Sequence, residues 1–245
     1  MKTNVYRDKN EVAQEFSKFF ADLVRGKNIF HVALSGGSTP KIVFDVLASD
    51  FADGIDWSKI HFYWGDERCV PPTDDQSNYK MTMEHLFSKI EVPEENIHRI
   101  LGEGEPLREA YRYANLLEIN LDRVNGVPQF DLVILGMGDD GHTASIFPHE
   151  ISLWDAAEHC VVATHPPDSH RGGQKRITIT GQVINTAKEV AFLVTGDSKV
   201  EKVREVIQKE GDYKKYPASL VSPTSGNLKW FLDQAAAQGI TPDQS

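Results

Sequence analysis

Apolar residues along this chain recur in two patterns, one with helical spacing and one typical of buried strands. A first helix is predicted between the N-cap candidate Asp8 and Gly26, because apolar residues from 12 to 24 fall on one face. Short apolar runs predict strands at residues 29–34, 60–64, 97–101, 130–135, 160–163, 176–180, 190–194 and 228–232. Strands that alternate with helices predict an α/β fold with an open, mostly parallel sheet covered by helices on both faces.

The further helices are predicted from the same periodicity. They cover residues 42–47, 78–89, 105–123 and the segment up to about 209, with a short alanine-rich helix after the last strand. In the long helix at 105–123, Tyr111, Leu117 and Leu121 are the expected core residues. No linker divides the 245 residues, so 1–245 is predicted to form a single domain.

Composition narrows the possible partners. A formal net charge of −10 argues against a nucleic-acid partner, which requires a basic surface, but not against one small phosphate bound by local cations. Residues 1–7 lack the apolar centre of a signal peptide and no apolar run is long enough to cross a membrane, so a cytoplasmic location is expected. The two cysteines, Cys69 and Cys160, match no metal or redox spacing.

The loop at residues 35–40, Ser-Gly-Gly-Ser-Thr-Pro, joins a predicted strand to a predicted helix. Two glycines allow close backbone approach, Ser38 or Thr39 can cap the helix, and Pro40 suits its first turn. Free N–H groups at a helix start bind anions, and the loop lacks the lysine of a nucleotide-binding P-loop. The sequence is compatible equally with a site for a small phosphate monoester and with an ordinary capped turn.

A second loop, at residues 136–142, follows the strand expected at the sheet centre. Its Gly-x-Gly-x-x-Gly spacing resembles a dinucleotide fingerprint, but two aspartates would face the pyrophosphate and Pro148 interrupts the helix that should follow. His142 is the candidate proton acceptor, with Asp139 or Asp140 close enough to orient it. A histidine bonded within its own loop remains the alternative.

Cations also stand near other strand ends. Asp66 and Arg68 follow the second strand, Arg176 opens a later strand and Lys199 begins a helix. Each alone is more often a surface or salt-bridged residue, and together they favour an anion site. No histidine pair has metal-ligand spacing, so no metal is expected.

The motifs together resemble a known family. Residues 34–40, 64–68 with Ser77 and Asn78, and 136–148 are similar to the 6-phosphogluconolactonases of the glucosamine-6-phosphate isomerase/6-phosphogluconolactonase family. Residues 176–178 and 217–219 also fit, and the resemblance runs in order over nearly the whole chain. It implies a modified Rossmann-like fold and hydrolysis of 6-phospho-D-glucono-1,5-lactone, a step of the oxidative pentose phosphate pathway, without metal or cofactor.

The resemblance also implies roles for single residues. His142 would be the general base, Arg68 would stabilise the oxyanion or hold the phosphate, and Asp66 would orient His142 or bind sugar hydroxyls. The phosphate-binding residues implied are Ser35, Gly36, Gly37, Ser38, Thr39, Arg176 and Lys199.

Two other functions remain open at this point. A glucosamine-6-phosphate deaminase would carry a glutamate where this chain has Phe147, and a non-catalytic sugar-phosphate sensor would have no need of His142. Residues 164–175 are rich in proline, glycine and charge, and we expect them to form a mobile flap. The sequence is compatible with a monomer or a small homo-oligomer.

Overall fold

A computed structural model describes residues 1–168 and 172–240. Its strands are β1 (Lys2–Tyr6), β2 (Phe30–Leu34), β3 (Ile60–Trp64), β4 (Asp66–Arg68), β5 (Arg123–Val124), β6 (Val127–Pro128), β7 (Leu132–Leu135), β8 (Cys160–Thr164), β9 (Lys175–Ile179), β10 (Glu189–Val194) and β11 (Leu228–Asp233). Its α-helices are α1 (Lys9–Val24), α2 (Ser38–Asp50), α3 (Asn78–Thr82), α4 (Pro106–Asn120), α5 (Gly181–Thr186) and α6 (Val200–Gln208). None of the helices in these two ranges is long and apolar enough to cross a bilayer.

Six strands form the central sheet, in the order β1-β11-β10-β7-β2-β3. Every neighbouring pair is parallel. All four residues of β7 are buried, as expected for a strand covered on both faces. The predicted α/β fold with a mostly parallel, Rossmann-like sheet and surrounding helices is confirmed.

The predicted strands at 160–163 and 176–180 exist, but they lie outside this sheet. They are β8 and β9, which pair antiparallel and continue into β4 to form a separate sheet of order β4-β9-β8. These two strands depart from the alternation of strands and helices, because antiparallel neighbours need no crossover helix between them.

Other departures lie where the sequence signal is weak. Residues 1–7 contain an edge strand, β1, which the polar composition concealed. The predicted strand at 97–101 is reduced to one isolated bridge between Ile97 and Phe62, and the alanine-rich segment after β11 forms turns rather than a helix. β1 is a five-residue edge strand with no buried residue, so it has no apolar pattern to detect.

The helices agree more closely with the pattern. Asp8 caps α1 by accepting hydrogen bonds from the N–H groups of Asn10 and Glu11. In α4, Leu117 is buried as predicted, but Tyr111 is 72% exposed and the ring that enters the core is Tyr113. The hydroxyl of Tyr113 accepts a hydrogen bond from the backbone N–H of Trp64, which ties the helix to the end of β3.

Candidate functional site

A cavity of about 170 Å³ lies where β2, β3 and β7 end. The lining residues are, from the loop after β2, Ser35, Gly36 and Gly37; from β4 and α3, Asp66, Arg68 and Asn78; from the loop after β7, Gly136, Met137, Gly138, His142 and Ala144; and from β9, Arg176. Parallel strands bring these loops to one edge of the sheet, which is the usual ligand position in such folds.

The loop after β2 leads directly into α2. Gly37 is the N-cap of α2 with φ of +112°, and no side chain caps the helix, so the prediction that Ser38 or Thr39 would cap it is wrong. A glycine N-cap offers no side-chain acceptor to the first-turn N–H groups, which leaves them for water or an anion. A Cβ atom at Gly36 would overlap the side-chain amide of Asn78, so only glycine fits there.

Three of the predicted phosphate-binding residues do not line the cavity. Ser38 is exposed on the first turn of α2, and the hydroxyl of Thr39 is 2.8 Å from that of Thr195. Lys199 forms an ion pair with Asp139, with 2.5 Å between Nζ and Oδ1. From that set, the residues that line the cavity are therefore Ser35, Gly36, Gly37 and Arg176.

His142 is held by its own loop. Its Nδ1 lies 2.5 Å from Oδ1 of Asp140, and its backbone N–H donates to the same oxygen at 3.0 Å. Desolvation opposes ionisation of Asp140, but the hydrogen bonds and charge of His142 outweigh it and lower the pKa of Asp140 to about 2. Asp140 is therefore an acceptor at neutral pH, so Nδ1–H donates to it and the Nε2 lone pair is left to accept a proton.

Asp66 has different partners. One of its carboxylate oxygens accepts a hydrogen bond from the hydroxyl of Ser145, and its backbone carbonyl accepts one from the Asn78 amide at 2.9 Å. Asp140, and not Asp66, makes the contact that orients His142. Of the two roles expected for Asp66, only binding of sugar hydroxyls remains.

Two arginines reach the cavity from the small antiparallel sheet. Arg68 and Arg176 stand directly opposite each other in the β4–β9 register, so their side chains project on the same face. Arg176 is only 4% exposed, and its guanidinium carbon is 5.7 Å from the ring centroid of Phe147. Two adjacent guanidinium groups make this cavity a local cationic site in a chain of net charge −10.

Sequence reasoning missed the support provided by Glu67. This buried carboxylate accepts hydrogen bonds from the backbone N–H groups of Arg68, Asn78 and Tyr79 and from the hydroxyl of Ser77. Burial raises its pKa, and the three backbone donors work against that shift. Glu67 thereby joins β4 to the start of α3 and places Asn78 beside the cavity. Ser77 and Asn78 belong to the motif that resembles the family, and that motif is the only sequence feature that pointed to them.

The predicted flap spans the connection between β8 and β9. Within it, the N–H of His165 donates to the carbonyl of Gln174 and the N–H of Gly173 donates to that of His165. Residues 169–171 lie outside the described residues, and mobility of this segment stays a prediction. Within the described ranges, no group of three His, Cys, Asp or Glu side chains is arranged to hold a metal ion.

Comparison with known proteins gives matches over nearly the whole chain. A family model described as glucosamine-6-phosphate isomerases/6-phosphogluconolactonase matches residues 8–230. The 6-phosphogluconolactonase of Treponema pallidum is 44% identical, with 84% of each chain covered, and that of Haemophilus influenzae is 43% identical, with 94% of each covered. The crystal structure of the devB protein is 41% identical with a TM-score of 0.92, covering 98% of this chain and 99% of that chain.

Proposed function

Because this chain belongs to the glucosamine-6-phosphate isomerase/6-phosphogluconolactonase family, we propose that it hydrolyses 6-phospho-D-glucono-1,5-lactone to 6-phosphogluconate. The observation that carries the proposal is the pairing of His142 with Asp140 in a cavity that also holds two guanidinium groups. The relatives that are 44% and 43% identical are named for this activity. The reaction would belong to the oxidative pentose phosphate pathway.

The proposed chemistry starts at Nε2 of His142. This nitrogen accepts a proton from water while the water oxygen attacks the lactone carbonyl carbon, and the resulting imidazolium is stabilised by Asp140. The guanidinium of Arg68 stabilises the negative charge that develops on the carbonyl oxygen. When the tetrahedral intermediate collapses, the bond from the carbonyl carbon to the ring oxygen breaks and His142 returns its proton to that oxygen.

The phosphate is proposed to bind at the start of α2. Ser35, Gly36 and Gly37 offer backbone and hydroxyl donors, and the positive end of the helix adds to the attraction. Arg176 supplies a buried, permanently charged partner. Lys199 would bind the phosphate only after its ion pair with Asp139 is broken.

The deaminase alternative is disfavoured by the surroundings of His142. Phe147 stands where a proton-transferring glutamate would be expected, and it is fully buried against His142. A phenyl ring cannot accept or donate a proton. The sensor alternative predicts phosphate binding without hydrolysis, so the same assay separates it.

The first experiment is acid release from freshly generated 6-phosphogluconolactone at neutral pH, with chelator present and spontaneous hydrolysis subtracted. The native protein should accelerate the reaction, and His142→Ala should lower kcat by about 10²- to 10⁴-fold because the general base is lost. The control is His85→Ala, since His85 pairs with Asp45 and does not line the cavity.

Near-normal turnover in His142→Ala would remove His142 from the mechanism. If the native protein does not accelerate hydrolysis, the lactonase proposal fails. Ammonia release from glucosamine 6-phosphate would then identify a deaminase, and binding of 6-phosphogluconate alone would identify a sensor.

A further inference from the structure

Phe147 is not among the residues that line the cavity, and it has no part in the chemistry above. Its side chain is completely buried, and it immediately precedes the 3-10 helix Pro148–Asp155. The segment leading to it is fixed by a hydrogen bond from the N–H of Ile146 to the carbonyl of Thr143. The ring therefore sits in a fixed place relative to the loop that carries His142.

The ring of Phe147 contacts two of the residues that the cavity brings together. Its centroid is 4.6 Å from that of the His142 imidazole, with the planes inclined at 46°. The guanidinium carbon of Arg176 is 5.7 Å from the same centroid. The imidazole of His165 also meets it edge to face, at 5.0 Å.

These contacts have a physical consequence for each partner. An aromatic face attracts cations within about 6 Å, so it favours the guanidinium position observed for Arg176. His142 is otherwise anchored through Asp140, whose side chain is 42% exposed and lies on the same loop. The buried ring of Phe147 adds a second contact that restricts rotation of the imidazole.

We propose that Phe147 is a positioning residue that sets the imidazole of His142 and the guanidinium of Arg176 relative to each other through one shared ring. The base lies in the loop after β7 of the central sheet, the anion-binding cation lies in β9 of the small sheet, and Phe147 contacts both. The catalytic consequence of this positioning rests on the proposed function, but the positions of His142 and Arg176 can be tested without the lactone.

The first test uses Phe147→Leu, which keeps an apolar side chain and removes the ring. The matched control is Phe192→Leu, since Phe192 is also fully buried and its ring stacks on that of Trp230 at 3.9 Å, away from the cavity. Nitrogen-15 spectra of the histidine side chains report the tautomer of His142, and titration with inorganic phosphate reports the anion site.

In Phe147→Leu we expect phosphate affinity to fall about tenfold. We also expect the Nδ1–H tautomer of His142 to become mixed, because an imidazole with more room to rotate spends part of its time away from Asp140. Phe192→Leu should change neither, although both variants lose stability. A His142 spectrum and a phosphate affinity that both equal those of the native protein would overturn the proposal, as would equal changes in the control.

The second test uses turnover. Phe147→Leu should lower kcat about tenfold and also raise KM, whereas a purely structural loss lowers the active fraction and leaves KM unchanged. An unchanged KM would contradict positioning. Absence of lactonase activity in the native protein would refute the proposed function while leaving the spectroscopic and phosphate results to decide the role of Phe147.

If Phe147→Leu does not fold, Phe147→Met replaces it, because an unbranched thioether fills an irregular space with less strain. Should neither variant fold, nuclear Overhauser contacts between the ring protons of Phe147 and His142 in the native protein decide the matter. Their absence across the active pH range would overturn the proposal, and persistent contacts would support it.

Discussion

At the residue scale, one short hydrogen bond decides which nitrogen of His142 is available. Asp140 receives both the backbone N–H and Nδ1 of that histidine, so a single carboxylate fixes the loop and the tautomer together. Gly138 contributes by its lack of a side chain, since a Cβ atom there would overlap the imidazole. The reactivity proposed for His142 is thus a property of three neighbouring positions rather than of one.

Asp140→Asn tests this arrangement. The amide keeps the shape but loses the charge that stabilises the imidazolium, so we expect kcat to fall about tenfold or more with little change in KM. Steady-state hydrolysis of the lactone measures both constants.

The control is Asp139→Asn, which alters the neighbouring carboxylate that pairs with Lys199. It should affect KM more than kcat if Lys199 assists the phosphate. Equal losses of kcat in the two variants would argue against a specific role for Asp140.

At the scale of elements, the site is built from two sheets and one helix start. The loop between β2 and α2 supplies glycines and backbone donors, and the small antiparallel sheet supplies both arginines. Glu67 connects that sheet to the start of α3 through three donors, on Ser77, Asn78 and Tyr79. A substitution that displaces one of these elements is therefore expected to displace site residues on the others.

Gly36→Ala is the sharpest test of that contact between elements. The added Cβ would overlap the Asn78 amide, which is buried and bonded to the carbonyl of Asp66, so it has little freedom to move. We expect affinity for 6-phosphogluconate to fall about tenfold, because the loop has to move away from Asn78 and loses its fit to the phosphate. Isothermal titration calorimetry measures the affinity.

Gly54→Ala is the matched control, because a Cβ atom at Gly54 meets nothing within 4 Å and the residue lies in a turn away from the cavity. It should bind 6-phosphogluconate as the native protein does. Unchanged binding by Gly36→Ala would show that the loop does not hold the ligand.

At the scale of the whole molecule, a second cluster of titratable groups lies at the opposite end of the strands. His31 and His61 face each other in the β2–β3 register, and Nδ1 of His61 is 3.1 Å from Nε2 of His98. The pKa values of all three are lowered, first by burial and, for His31 and His98, next by the charge of neighbouring histidines. For His98 the pKa falls to about 4.

This cluster predicts an acid limit to stability that is independent of the site. A histidine whose pKa is about 6.5 in the unfolded chain and about 4 in the folded chain takes up a proton on unfolding. Its contribution to the free energy of unfolding is therefore complete above pH 6.5 and is lost as the pH drops toward 4. After allowance for partial solvent exposure, we expect a loss of about 1–2 kcal/mol attributable to His98. Urea unfolding at pH 7.5 and pH 5 measures it.

His98→Phe should flatten this pH dependence, because phenylalanine keeps the stack on Tyr63, at 4.4 Å between centroids, without a titrating group. His149→Phe, outside the cluster, should retain the native dependence. If both variants lose stability with acid as steeply as the native protein, other groups are responsible.

The sequence alone predicted most of the strands and helices in their order and the loops that carry the chemistry, because hydrophobic periodicity and turn residues are local properties of the chain. His142, Ser35, Gly36 and Gly37 could be proposed on that basis and do line one cavity. The identity of the family followed from the same local motifs. How many domains the chain forms remains a prediction.

Tertiary structure decided what depends on pairing between distant segments. No local sequence pattern indicates the antiparallel sheet or the register that places Arg68 beside Arg176. The same is true of the ion pair between Lys199 and Asp139. The same holds for Asn78, placed by Glu67, since burial of a carboxylate depends on which donors the fold brings to it. A linear pattern records which face of an element is apolar, but not which other element covers it.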